Sequence, residues 1–131
     1  MTSDSKINRP LSPHLSIYKP QFTSVLSIMH RITGVALILS SLLVISWFLA
    51  LSLGPNQFYV IEILYDLIIV RIILALSVWA LWYHSCNGVR HLVWDLGYGL
   101  GVEWINLSSY LVVFGSVCLT LSTLCVGWYY Q

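Results

Sequence analysis

Hydrophobic positions dominate the chain in long unbroken runs, and polar ones gather between them. Residues 32–53 carry no ionisable side chain. As a helix this stretch reaches roughly 33 Å at about 1.5 Å per residue, enough for a hydrocarbon core of about 30 Å. Residues 105–130 form a second run, free of charged residues. Between them, residues 72–88 follow Arg71 and are interrupted only by His84, Cys86 and Asn87. With Arg90 and His91 at an interface, that stretch extends to about Leu92. The pattern predicts an all-α membrane protein with three transmembrane helices near 27–53, 67–92 and 106–129. The Gly54-Pro55-Asn56-Gln57 cluster breaks the chain after the first span, and Gly97, Gly99 and Gly101 make the second connection flexible.

The first 20 residues differ. They hold three of the four prolines (Pro10, Pro13, Pro20) and no long apolar run, so they read as an extended or interfacial segment. They show neither the basic start, apolar stretch and small-residue cleavage site of a signal peptide nor an Arg-rich transit pattern. The expected organisation is a single membrane-anchor domain over 1–131, with an N-terminal segment at 1–22 and the three-helix body at 23–131.

Composition narrows the class. Only 6 Lys+Arg and 5 Asp+Glu occur in 131 residues, or 8% charged, against 58% hydrophobic. A soluble domain carries roughly 25% charged residues, so a soluble enzyme and a disordered chain are excluded. Six basic residues spread along the chain make no basic patch, which excludes nucleic acid as a partner and leaves membrane lipid. The position of the charges sets orientation. Lys6, Arg9, Lys19 and Arg31 precede or begin the first span, and Arg90 ends the second. The first loop offers only Arg71, and the C-terminus no basic residue at all. By the positive-inside bias, the N-terminus and second loop face the cytoplasm or matrix, and the C-terminus faces outside. Trp94, Tyr98 and Trp104 at one level and Trp128, Tyr129 and Tyr130 at the other suit aromatic belts. Cys86, Cys118 and Cys125 read as small packing residues.

Ionisable groups at membrane depth are costly and point to function. Along the second span His84 lies about 9 Å from Arg90 and about 20 Å from Arg71, in the inner half of the bilayer. His30, Arg31, His84, Arg90 and His91 can therefore share one layer. His84, Gly88, His91 and Asp95 fall on one helix face, and Tyr83, Asn87 and Arg90 on the neighbouring one. Gly34 and Gly88 leave room for a close helix or a flat ligand. Imidazole is a common axial ligand of haem iron, and Arg31 or Arg90 can meet haem propionates. Ser27 and Arg31, one turn apart, suit the carbonyl of a quinone. Each residue has a plainer role open to it: histidine can bond a neighbouring helix, and arginine at a helix end can snorkel. On the third span Ser109, Ser116, Thr120, Thr123 and Gly127 line one face and read as a packing seam. A small transporter would require a deep acidic residue, and Glu62, Asp66, Asp95 and Glu103 all fall in loops or at interfaces.

Two motifs carry a resemblance. Arg9-Pro10-Leu11-Ser12-Pro13-His14-Leu15-Ser16-Ile17-Tyr18-Lys19-Pro20, followed by Ser24-Val25-Leu26-Ser27-Ile28-Met29-His30-Arg31-Ile32-Thr33-Gly34, resembles the N-terminal signature of the cytochrome b subunit of succinate dehydrogenase, respiratory complex II. His84-Ser85-Cys86-Asn87-Gly88-Val89-Arg90-His91-Leu92-Val93-Trp94-Asp95 is similar to that family's H-x-x-x-G-x-R-H-x-x-x-D pattern. The third span matches by hydropathy alone. The resemblance implies a membrane anchor in a mitochondrial or bacterial inner membrane, paired with a second three-helix anchor subunit. A flavoprotein subunit and an iron–sulfur subunit would dock on the inner face. Succinate would be oxidised in the flavoprotein, and electrons would pass through iron–sulfur centres to ubiquinone, linking the tricarboxylic acid cycle to the respiratory chain. A haem b would lie between the anchors, with His84 as one axial ligand to the iron and a histidine of the partner anchor as the other. His30, Arg31 and His91 would surround the propionates, Ser27 and Arg31 would bind ubiquinone, and Arg90 and Asp95 would support. The alternative is a purely structural anchor without functional haem.

Overall fold

The computed structural model describes residues 19–130. The N-terminal segment expected at 1–22, and with it the first signature from Arg9 to Tyr18, lies almost wholly outside the described residues. Four helices follow in order: α1 (Phe22–Leu53), α2 (Pro55–Asp66), α3 (Ile68–Asp95) and α4 (Val102–Tyr129). Three of them, α1, α3 and α4, are long and apolar enough to cross a membrane. The all-α, three-span architecture is thus the observed one, with every span longer than its apolar run. Helix α1 starts five residues before position 27 because Gln21 is extended and its carbonyl accepts from the amides of Ser24 and Val25, at 2.9 and 3.1 Å. Thr23, Ser24 and Ser27 are polar but helix-compatible, so the helix outruns the hydropathy signal.

Helix α2 was not anticipated. The Gly54 break is real: its φ of 111° is open to glycine and not to side-chain-bearing residues. Pro55 then occupies the first helical turn, where a missing N–H costs nothing, and the Phe58 amide donates to the Gly54 carbonyl at 3.1 Å. A proline in that cluster therefore starts a helix. The Tyr65 hydroxyl ties α2 back to α1, donating to the Leu43 carbonyl and lying 3.1 Å from the Ser46 hydroxyl. Asp66 and Arg71 pair at 2.6 Å across the junction with α3, but their side chains are 68% and 59% exposed, so the pair adds under about 1 kcal/mol.

At the other connection α3 ends in a Schellman closure. The Gly97 amide donates to the Trp94 carbonyl at 2.8 Å and the Tyr98 amide to the Val93 carbonyl at 3.1 Å, with Gly97 at φ 82°. Gly99 also turns with φ 71°, and α4 begins at Val102.

Helix α3 is the central element and packs on α1 and on α4, while α1 and α4 touch less, with the stack of Phe22 on Tyr110 at 5.5 Å among their contacts. The packing is inverted relative to a soluble core. Leu26, Tyr83 and Val112 form a small apolar centre with Met29, Trp79 and Cys86. Asn87, Ser109 and Ser116 are completely buried, whereas Ile38, Ile68 and Phe114 are about as exposed as side chains on a free helix. Small and polar residues hold the helices together, and large apolar ones face outward, as lipid demands. The serine seam of α4 is borne out at Ser109, Ser116 and Thr120, while exposed Thr123 accepts from Trp82 Nε1 at 2.9 Å and Gly127 lies beyond the seam, exposed and with no neighbour against it. Of the cysteines only Cys86 packs inward; Cys118 and Cys125 are exposed on α4. Trp128, Tyr129 and Tyr130 project outward at the end of α4.

Candidate functional site

The site lies between α1 and α3, at the end of the bundle that carries the second connection. Each helix contributes an imidazole and a glycine in reciprocal fashion. The His84 ring lies against Gly34, where an added Cβ would sit 3.1 Å from Cε1, and the His30 ring lies over Gly88, where it would sit 3.7 Å from Cε1. The room expected at the two glycines is therefore filled by the opposite helix's histidine. The two rings stack with centroids 3.9 Å apart and planes 12° apart. His91 completes the cluster, 5.4 Å from the His30 ring, with its own edge on Trp94 at 5.3 Å. His30, His84 and His91 thus gather in one layer.

His84 is held from one side. Its Nδ1 lies 3.0 Å from the main-chain carbonyl of His30 and 3.3 Å from the hydroxyl of Thr33. A carbonyl only accepts, so Nδ1 carries the proton and Nε2 carries the free lone pair. The hydroxyl proton of Thr33 is directed at the carbonyls of Met29 and His30, both at 2.9 Å, which leaves its oxygen to accept from His84. A histidine whose Nδ1–H is tied to a carbonyl, with Nε2 open, is the arrangement usual for metal-bound imidazole. Thr33 is the residue missed in the sequence; its signal was a threonine one turn after Met29 and His30 and next to Gly34.

His30 Nδ1 is buried with no hydrogen-bond partner among the described residues. A buried polar atom is seldom left so, and a polar group bound at the cluster would satisfy it. Among the described residues no three His, Cys, Asp or Glu side chains are arranged to hold a bare metal ion. Haem asks for less, because its ring nitrogens already hold the iron and the protein adds axial ligands. One tethered imidazole with a free Nε2, an orphaned polar atom beside it and no competing carboxylate fit that group.

Arg90 keeps the depth of the layer but turns to the side of α3 that meets α4, where it is 5% exposed. Nε donates to Ser108 at 3.0 Å, one terminal nitrogen to Asn87 Oδ1 at 3.3 Å, and the other to Ser109 at 2.8 Å and the Ile105 carbonyl at 3.4 Å. Its guanidinium carbon lies 4.0 Å from the centre of the Trp94 ring. With most of its donors engaged it is a clamp between α3 and α4, not a free cation beside the histidines. The physical reason is rotation: Arg90 stands about 120° round the helix from His84 at 100° per residue, which carries it to α4. Tyr83 and Asn87, on the same side, donate to the Leu26 carbonyl of α1 at 2.9 and 3.5 Å.

Arg31 is exposed and makes no hydrogen bond among the described residues, so its guanidinium can reach a ligand. Ser27 lies one turn before it on α1, half-buried, with its hydroxyl donating to the Thr23 carbonyl at 3.3 Å. Ser27, His30, Arg31 and Gly34 fall within about 100° of arc on α1, one continuous face. Asp95 is exposed at the end of α3.

The chain is similar in sequence to known proteins. The profile of the succinate dehydrogenase/fumarate reductase transmembrane subunit family matches residues 5–123. A protein of Rickettsia conorii named succinate dehydrogenase cytochrome b556 subunit is 46% identical over 113 residues, covering 86% of this chain and 88% of that one. The cytochrome b556 subunit of Paracoccus denitrificans succinate dehydrogenase is 42% identical over 126 residues, 96% of this chain and 97% of the relative. The cytochrome b560 subunit of Marchantia polymorpha is 44% identical over 121 residues, 88% of each chain.

Proposed function

This chain belongs to the succinate dehydrogenase/fumarate reductase transmembrane subunit family, and from that premise we propose that it binds haem b and ubiquinone in succinate:ubiquinone oxidoreductase. In this role it passes electrons from the iron–sulfur subunit to quinone. The observation that carries the proposal is the tether on His84 Nδ1, which leaves Nε2 free to meet iron. When bound, haem supplies a one-electron store next to the quinone site.

The chain's own residues do the rest by position. His84 presents an imidazole tethered through Nδ1, with Nε2 turned free. His30 and His91 line the periphery of the same layer, where propionates would lie, and Arg31 supplies a cation for them. Ser27 and Arg31 share a face of α1, and they would donate to one quinone carbonyl and stabilise negative charge as it develops. No residue here meets succinate, whose oxidation belongs to the flavoprotein subunit.

The whole chain acts as one anchor unit in an inner membrane. Its N-terminus and the α3–α4 connection face the matrix or cytoplasm, which sets the histidine layer at the surface where an iron–sulfur subunit would dock. A second anchor subunit would supply the other histidine that holds the haem. The outward apolar flank of α1, of which only 6% of the most apolar stretch is buried, offers the surface for it and for lipid.

The test is a pair of measurements on the purified complex. A reduced-minus-oxidised spectrum shows a b-type band, and succinate drives quinone reduction. A complex that turns over succinate with artificial dyes and lacks the band would return the chain to the role of a purely structural anchor.

A further inference from the structure

The His84 ring is held by more than its ligand role requires, and the excess comes from one side chain. We propose that Thr33 is a positioning residue: its hydroxyl is the second acceptor for His84 Nδ1–H and so sets the potential of the haem bound there. The inference rests on His84 being the axial ligand.

Thr33 is 2% exposed, in the middle of an apolar helix. Valine has the same branched shape and no hydroxyl to bury, so packing alone does not call for threonine. The hydroxyl proton is committed to the Met29 and His30 carbonyls, which turns the oxygen's lone pairs toward Nδ1 of His84 at 3.3 Å. The ring is then fixed in three ways. The His30 carbonyl and Thr33 oxygen hold its Nδ1 edge, the His30 ring covers one face at 3.9 Å, and Gly34 abuts Cε1. A shared N–H···O tether does more than aim the ring. Acceptors on Nδ1–H draw that proton, raise electron donation from Nε2 and favour the oxidised iron. With one acceptor removed, the ligand donates less and the midpoint potential rises.

The experiment is a redox titration of the haem in the intact complex, with the parent, Thr33→Val and Thr33→Ser compared. Thr33→Val is expected to raise the midpoint potential and shift the low-spin electron-paramagnetic-resonance signal, while Thr33→Ser keeps the parent values. An unchanged potential in Thr33→Val, or equal shifts in Val and Ser, overturns the proposal. Should Thr33→Val not assemble, judged by membrane-bound succinate oxidation with dyes, Thr33→Ala against Thr33→Ser answers the same question by the same criterion. Failure of the underlying reading looks different: the parent would lack a b-type band, or the band would survive His84→Leu.

Discussion

Replacing His84 by leucine is expected to remove the b-type haem band from the complex altogether, while succinate oxidation by artificial dyes persists. Leucine occupies comparable space and so preserves most of the packing between α1 and α3. The structural loss is the Nδ1 tether to the His30 carbonyl and the Thr33 hydroxyl, a cost of about 1 kcal/mol. The ligand loss is total, since Nε2 has no substitute: His30, the nearest other imidazole, stacks parallel on His84 instead of replacing it. Absorbance of the purified variant, with membrane-bound dye activity as the measure of assembly, separates the two effects. A retained band assigns the iron to another residue.

The second large effect is expected at Arg31. Arg31→Ala should lower succinate:ubiquinone turnover by about 10²–10³-fold, the magnitude usual for loss of one donor to developing charge. Dye reduction should stay at the parent level, because Arg31 is exposed and makes no hydrogen bond among the described residues whose loss would unsettle the fold. Steady-state assays with both acceptors check this. Arg31→Lys keeps the charge but not the planar fork, so it should recover only part of the turnover. Equal loss with dye and quinone would indicate a damaged assembly and not a quinone site.

Much of this was legible in the sequence, for physical reasons. Charge-free runs must become spans in lipid, so α1, α3 and α4 were all anticipated, and the i, i+4, i+7 spacing of His84, Gly88 and His91 put them on one face. Helix ends were less legible. Thr23 and Ser24 at the start of α1, Asp95 at the end of α3 and Glu103 in the first turn of α4 are polar yet helical, so apolarity underestimates each helix. Helix α2 was hidden because its Glu62 and Asp66 break any apolar run and Gly54-Pro55 reads as a loop. That Arg90 clamps α4 instead of meeting a ligand was not legible, because α3 is polar on two adjacent faces and only a neighbour reveals which face α4 covers. Thr33 was passed over because an isolated threonine in an apolar helix has no meaning until His84 is set opposite it.

The central claim is that Nε2 of His84 binds iron in the layer shared with His30 and His91. Anomalous diffraction at the iron edge, from crystals of the intact complex, tests it directly. The predicted result is an iron peak adjoining His84 Nε2 and separate from the iron–sulfur centres. A complex with a b-type spectrum whose membrane-domain iron adjoins other side chains contradicts it.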